Sequence, residues 1–258
     1  MIVYTDLDGT MMGPGGSFFR APDRSWSIEP AIALTRFLDA GHTLVLVSGR
    51  TRTQLIEAAS ILGADGYIAE LGSLVGWDRT EHCVELPGAG PAADGALIDA
   101  MIAAFPGRLE FHEPWHLGHQ VDVLLRGNVP MDEIRSWLDA YGAPHLGLRD
   151  NGVLPAWRQT GLAPETMPVH VYHVLPQGIS KGAAVGWDLT RRGIDPAEAI
   201  AIGDSNSDID MAGYVGRFFL VANGFEHARK PLPENVTVTK HAMSLGWAEA
   251  IETVFSGE

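Results

Sequence analysis

Short, wholly apolar segments alternate with helical ones at the start of this chain, and that alternation most constrains the fold. Ile2 to Thr5 is a β-branched and aromatic run that stops at Asp6. It reads as a buried strand. Glu29 to Ala40 places Ile32, Leu34, Phe37 and Leu38 at roughly helical spacing, and Gly41 follows as a stop. Thr43 to Val47 is a second buried strand, Arg52 to Leu62 a second helix, and Tyr67 to Ala69 a third strand. Strands that are apolar on both faces and separated by helices predict a parallel sheet with helices packed on it. The pattern returns later. Gly182 to Arg192 reads as a helix, Ala199 to Ile202 as a strand, Asp208 to Val215 as a helix and Phe218 to Val221 as a strand.

The middle of the chain follows a different rule. Leu86 to Ala96 is rich in Gly, Pro and Ala and reads as a linker, and Gln120 to Leu125 and Val169 to Val174 alternate in polarity. Between them Met131 to Tyr141 has the spacing of an amphipathic helix. Alternation predicts antiparallel strands with one covered face. The expectation is a core domain from residues 1–79 and 175–258, with an α+β domain of residues 80–174 inserted in it. At 258 residues the chain is long enough for both.

Each core strand is followed by polar residues that matter chemically. Asp6-Leu7-Asp8-Gly9-Thr10 leaves the first strand. Two carboxylates two residues apart can hold a divalent cation and share acid and base work, although Asp and Gly at a strand end also simply make turns. Ser48-Gly49-Arg50 leaves the second strand, offering a hydroxyl and backbone N–H groups to a phosphate oxygen, or merely capping the next helix. Lys181, in Gly178-Ile179-Ser180-Lys181-Gly182, could reach into a site as a point charge; a lone Lys at a helix start is usually solvated surface, but the macrodipole slightly disfavours it there, a hint of function. Gly203-Asp204-Ser205-Asn206-Ser207-Asp208 brings two more acids, more than one helix cap requires.

In the order acid pair, Ser, Lys, acid pair, these segments resemble the four motifs of the haloacid dehalogenase superfamily of phosphohydrolases. The long insertion resembles that superfamily's type-II cap, and the pattern is most similar to the Cof-type, sugar-phosphatase branch. Two positions depart from it: Ser207 stands where Asn is usual, and Leu71, in Ala69-Glu70-Leu71-Gly72-Ser73, stands where Asn is common. The resemblance implies an α/β, Rossmann-like core and a Mg²⁺-dependent phosphatase for a small phosphorylated metabolite, such as a sugar phosphate or mannosyl-3-phosphoglycerate. It makes Asp6 the nucleophile and Asp8 the acid and base. Mg²⁺ would be held by Asp6, the Asp8 carbonyl and Asp204, with Asp208 acting through water or orienting Lys181. Ser48, Gly49 and Lys181 would hold the phosphate. A phosphomutase using the same aspartyl phosphate, and a regulatory protein on a phosphatase fold, are the alternatives.

Substrate choice is expected from Arg50 and from the insert, where Trp115, His116, His119, Arg126, Arg149, Asn151, Arg158 and His173 are candidates. His112, His116 and His119 fit no closed zinc spacing and are expected to be surface or substrate-contacting residues. Eighteen Lys and Arg against 32 Asp and Glu give a net charge of −14, which disfavours nucleic acid and anionic membranes. One cysteine, Cys83, allows no intrachain disulfide, and the first residues read as a strand rather than a signal segment. A cytoplasmic enzyme, monomeric or a small homo-oligomer, is the expectation.

Overall fold

The computed structural model describes residues 1–77, 82–154, 161–163 and 168–256, arranged as two compact units. The first joins Met1–Leu86 to Ser180–Glu258, and the second is Pro87–Ile179. The divisions fall a few residues beyond those drawn from the sequence, because the strand His82–Glu85 hydrogen-bonds into the sheet of the first unit.

The first unit begins with β1 (Ile2–Thr5), fully buried. Helix α1 (Glu29–Asp39) buries Pro30, Ala33, Leu34 and Phe37, and β2 (Thr43–Val47) follows. Helix α2 (Arg52–Leu62) is opened by a reciprocal Thr51–Gln54 capping box and closed by Gly63 in the left-handed conformation. Then come β3 (Gly66–Ala69), β4 (Leu74–Trp77) and β5 (His82–Glu85).

The second unit holds α3 (Gly95–Ala104), β6 (Leu109–Phe111), β7 (Val123–Gly127), α4 (Met131–Tyr141), β8 (Leu146–Val153) and β9 (His170–Pro176). Its sheet is antiparallel in the order β6-β7-β9-β8. Leu97, Ile98 and Met101 of α3 and Ile134 and Leu138 of α4 pack against Leu125, Leu148, Tyr172 and Val174, so this unit has its own apolar core. A smaller cluster, Leu124, Leu154, Leu162, Val169 and Val171, includes the strand residues whose side chains alternate with those.

The chain returns to the first unit through α5 (Lys181–Arg192), β10 (Ala199–Gly203), the single turn α6 (Asn206–Ile209), β11 (Arg217–Leu220), β12 (Val236–Val238) and α7 (Met243–Ser256). The helix expected from Asp208 instead starts at Asn206, because Ser205 caps it, and continues as a 3₁₀ segment through Tyr214. Strand β7 starts at Val123, not Gln120.

The sheet order is β12-β11-β10-β1-β2-β3-β4-β5. From β12 to β3 all neighbours are parallel; β4 and β5 add an antiparallel edge. Succession runs one way from β1 to β2 and β3, and the other way from β10 to β11 and β12. The strand order therefore reverses beside β1, and in open α/β sheets ligands bind outside the carboxyl ends of the strands at such a point. In the register Thr5 faces both Ile202 and Leu46, so the loops carrying Asp6, Ser48 and Asp204 leave the sheet side by side. Among the described residues no helix is long and apolar enough to cross a membrane.

Candidate active site

Asp6 is fixed by its own backbone, whose N–H donates to the Ile202 carbonyl of β10 at 2.9 Å. Its side chain is buried, and Oδ1 accepts from the Lys181 ammonium at 2.7 Å. Lys181 is the first residue of α5, whose N-cap Ser180 accepts the Ala183 N–H. The same ammonium donates to Asp208 Oδ1 at 2.6 Å, which explains a cation at this helix start. Lys181 is only 4% exposed, and the two carboxylates outweigh burial to raise its pKa, so it stays charged.

Asp208 is wholly buried and saturated. Its Oδ2 accepts from the backbone N–H groups of Asp204 (3.1 Å) and Ser205 (2.8 Å) and from the Ser205 hydroxyl (2.6 Å). Gly203 makes room for it, since a Cβ there would lie 2.2 Å from that of Asp208. Ser207, at the departure from the usual Asn, shares a 2.8 Å hydrogen bond with the Ser205 hydroxyl and so supports Asp208 indirectly.

Asp204 is held by Thr10, the last residue of the first acid motif, and by Asn223, which the sequence did not single out. Thr10 donates to Oδ1 at 3.3 Å, and the Asn223 amide donates to Oδ2 at 3.0 Å and to the Gly9 carbonyl at 2.9 Å. The Asn223 side-chain oxygen accepts the Met243 N–H at 2.8 Å, tying this loop to the start of α7. Gly9, at φ +86°, passes so close that a Cβ would sit 2.4 Å from Asp204 Oδ2. The available signal was position: Asn223 follows β11 at the same edge of the sheet as the other loops.

Asp6, Asp204 and Asp208 each present one carboxylate oxygen within 4.8 Å of the others. With Lys181 as their shared cation, the cluster retains excess negative charge. Burial, and then the charge of Asp208, pushes the Asp204 carboxyl up to about 7. Burial likewise raises Asp6, against the pull of Lys181. Hard oxygen donors at this spacing, strained by their own charge, fit a divalent cation such as Mg²⁺. Among the described residues no other His, Cys, Asp or Glu group meets this spacing, so the insert histidines form no such cluster.

Ser48, buried after β2, accepts the Arg50 N–H at 3.3 Å, and Gly49 lies half-buried between them. Asp8 is not part of the acid cluster. Both its oxygens are held by the Arg50 fork, Nε to Oδ2 at 2.7 Å and a terminal nitrogen to Oδ1 at 2.6 Å. Behind Ser48 and Arg50 runs a turn with Glu70, Leu71 and Gly72 at φ +51°, +57° and +108°. Leu71 occupies a left-handed position that Asn tolerates more readily.

The insert candidates fall into distinct settings. Asp122 is buried with its Oδ2 2.5 Å from His173 Nδ1 and 3.5 Å from His119 Nδ1. Burial alone would raise its pKa, but attraction to His173 and the hydrogen bonds of both imidazoles hold it below the usual carboxylate range. Arg126 is ion-paired to Glu110 at 2.6 Å and donates to the Glu113 carbonyl, so it serves the insert itself. His116 stacks on Phe111 with centroids 4.8 Å apart. Trp115 is 51% exposed; Arg149 and Asn151 lie exposed on β8. Arg158 lies outside the described residues.

Residues 163–248 match the sequence model of the haloacid dehalogenase-like hydrolases. A phosphoglycolate phosphatase of Pyrobaculum aerophilum is 26% identical over 258 residues, covering 99% of this chain and 96% of that protein. One from Methanopyrus kandleri is 28% identical over 233 residues, covering 89% and 87%. Among solved structures, a Thermoplasma acidophilum protein superposes with a TM-score of 0.67 at 16% identity, covering 99% of this chain and 96% of the other. The sucrose-phosphatase of a Synechocystis species, solved with sucrose and phosphate, gives 0.62 at 16% identity, covering 98% and 96%.

Proposed function

We propose that the chain is a haloacid dehalogenase-superfamily phosphohydrolase of the Cof-type, sugar-phosphatase branch, a Mg²⁺-dependent phosphatase acting through an aspartyl phosphate on Asp6; the partial family match, the phosphoglycolate phosphatases similar along the chain and the shared fold support this reading. The observation that carries this reading is the buried Asp6–Lys181–Asp208 bridge with Asp204 beside it. Asp6, Asp204 and the Asp8 backbone carbonyl would hold the cation. When bound, it offsets the charge that otherwise keeps a phosphate dianion away from the carboxylates.

Asp6 attacks phosphorus in line, forming an acyl phosphate while the ester oxygen departs. Asp8 supplies the proton to that oxygen and then takes one from the water that cleaves the acyl phosphate. Lys181 and Ser48 hold the oxygens of the phosphoryl group, where negative charge is spread during transfer. Asp208, anchored by three donors at Oδ2, keeps Lys181 aimed at Asp6. The substrate is a small phosphorylated metabolite. The curated relatives' phosphoglycolate is a better first candidate than the phosphorylated glycosides suggested by the motif pattern, because those relatives match along nearly the full chain. Discrimination among leaving groups belongs to the insert and to Arg50.

The test is release of inorganic phosphate from a panel of phosphate esters. Activity lost in chelator and regained with Mg²⁺, together with acid-stable labelling from a phosphate-labelled ester that Asp6→Asn abolishes, is the expected result. Undiminished turnover in excess chelator sinks the metal-dependent mechanism.

A further inference from the structure

Resting on that reading, we propose that Arg50 is the receptor for a carboxylate on the substrate's leaving group, and that Asp8 occupies this receptor in the free enzyme.

The backbone of Arg50 is fixed on both sides. Its N–H donates to the Ser48 hydroxyl at 3.3 Å, and its carbonyl accepts the Glu70 N–H at 3.1 Å from the left-handed turn. From this anchored position the guanidinium presents two parallel donors, and both now end on one carboxylate, that of Asp8, at 2.7 and 2.6 Å. A planar fork matched to two oxygens is the geometry with which arginine recognises carboxylates.

The pair is not a core strut. The Asp8 side chain is 55% exposed and that of Arg50 29%. Exchange of one carboxylate for another keeps the bidentate pair intact, so it costs little. The loop beside the fork is bare: Gly15 and Gly16 both run at positive φ, and the nearest atom to a Cβ on Gly16 would be the Arg50 terminal nitrogen at 3.6 Å. A Cβ on Gly15 would meet nothing within 4 Å. Both glycines are exposed, and no side chain of theirs crowds the guanidinium.

The proposed reaction requires Asp8 to turn toward the departing ester oxygen, which it cannot do while both of its oxygens sit in the fork. A leaving group with its own carboxylate resolves the conflict. That carboxylate takes the fork, Arg50 remains paired, and Asp8 is freed beside the bond that breaks. The distances suit a short acid. Asp8 leaves the fork by turning about its own backbone, so the ester oxygen it serves and the carboxylate that replaces it lie only a short chain apart. An ester oxygen and a carboxylate separated by one carbon span about 3–4 Å by standard bond lengths. The substrate class assigned is therefore a phosphate ester of a small hydroxy acid.

Calorimetric binding of phosphonoacetate and of methylphosphonate, each with Mg²⁺, isolates the carboxylate. Arg50→Ala should weaken phosphonoacetate about ten- to a hundredfold, as loss of a charge-assisted pair does, and change methylphosphonate by less than about threefold. Arg50→Lys, a milder change should the alanine variant not fold, should fall between, because a point charge lacks the fork. Asp8→Asn, which leaves a neutral amide as the competitor, should tighten phosphonoacetate relative to methylphosphonate. Equal losses for both ligands in Arg50→Ala, or none for either, overturn the assignment, and an unchanged or smaller preference in Asp8→Asn overturns the exchange. A wild-type protein that binds neither phosphonate and releases phosphate from no ester refutes the phosphatase reading itself, which is a separate outcome.

Discussion

Replacing Lys181 by methionine keeps the length and apolar stem of the side chain and deletes one charge at the centre of the acid cluster. Lys181 is 4% exposed, and its ammonium lies 2.7 Å from Asp6 and 2.6 Å from Asp208. Removing one partner of a buried ion pair costs about 3–5 kcal/mol, because the remaining charge is left in a poor solvent. Here Asp208 keeps three other donors, so most of the loss falls on Asp6 and the lower end, about 3 kcal/mol, applies. With a urea m-value of about 2–3 kcal/mol/M, the midpoint in chelator should fall by roughly 1–1.5 M. A divalent cation then has a more negative site to enter. Saturating Mg²⁺ should recover a large part of the midpoint through binding to the folded state, while phosphate release stays lost. The assay is urea unfolding of both proteins in chelator and in millimolar Mg²⁺. A midpoint within about 0.3 M of wild type in chelator, or the same deficit with and without Mg²⁺, refutes the view that Lys181 neutralises this cluster.

Asn223→Ala should weaken Mg²⁺ binding about ten- to a hundredfold by calorimetry, the usual cost of losing a residue that orients a ligand, because both donors onto Asp204 and Gly9 disappear. Thr239→Ala, which loses a nearby bond to the His241 carbonyl, should leave Mg²⁺ binding unchanged. In metal-free protein the Asp204 carboxyl titrates near 7 when folded against 3.8 unfolded, so the folded state holds the proton more tightly and stability falls as pH rises between those values. Urea midpoints at pH 5 and 8 should show that slope in chelator, and both Asp204→Asn and added Mg²⁺ should flatten it. Asp122→Asn removes the charge between His119 and His173 and should cost the insert about 1.5–3 kcal/mol. Hydrogen exchange should quicken in β7 and β9 and stay unchanged in β1 and β10.

Much of the core was legible because its signals are local. Thr51 and Gln54 cap α2, Gly63 and Gly193 end helices, and apolar runs bounded by polar loops mark β1, β2 and β10. The acid motifs could be placed because each follows a strand. What escaped was set by partners distant in sequence. Strands β4 and β5 carry no clear alternation and are strands because β3 offers an edge to Leu74–Trp77. The α3 residues GALIDAMIAA have a weakly sided apolar pattern after a linker-like stretch, and only the Asp94 cap announces them. Position placed Thr10 and Asn223 in loops after strands, but their partner, the Asp204 carboxylate, is distant in sequence and could not be read from it. Arg126 had the chemistry of a substrate contact, but Glu110 on the neighbouring strand claims it.

The pairing of β1 with both β2 and β10 has a consequence for how the protein is made. Ile2 to Thr5 leave the ribosome long before Ala199 to Ile202, which complete one flank of their strand. At about 5–20 residues per second, the nascent chain waits on the order of 10–40 s for that partner. Residues 87–179, by contrast, are contiguous and close a core of their own, so they can fold while the central strand still has a bare edge. During that interval an apolar strand, wholly buried in the finished enzyme, is open to other chains, which makes β1 the segment where slowed translation or chaperone shortage should first appear as aggregation.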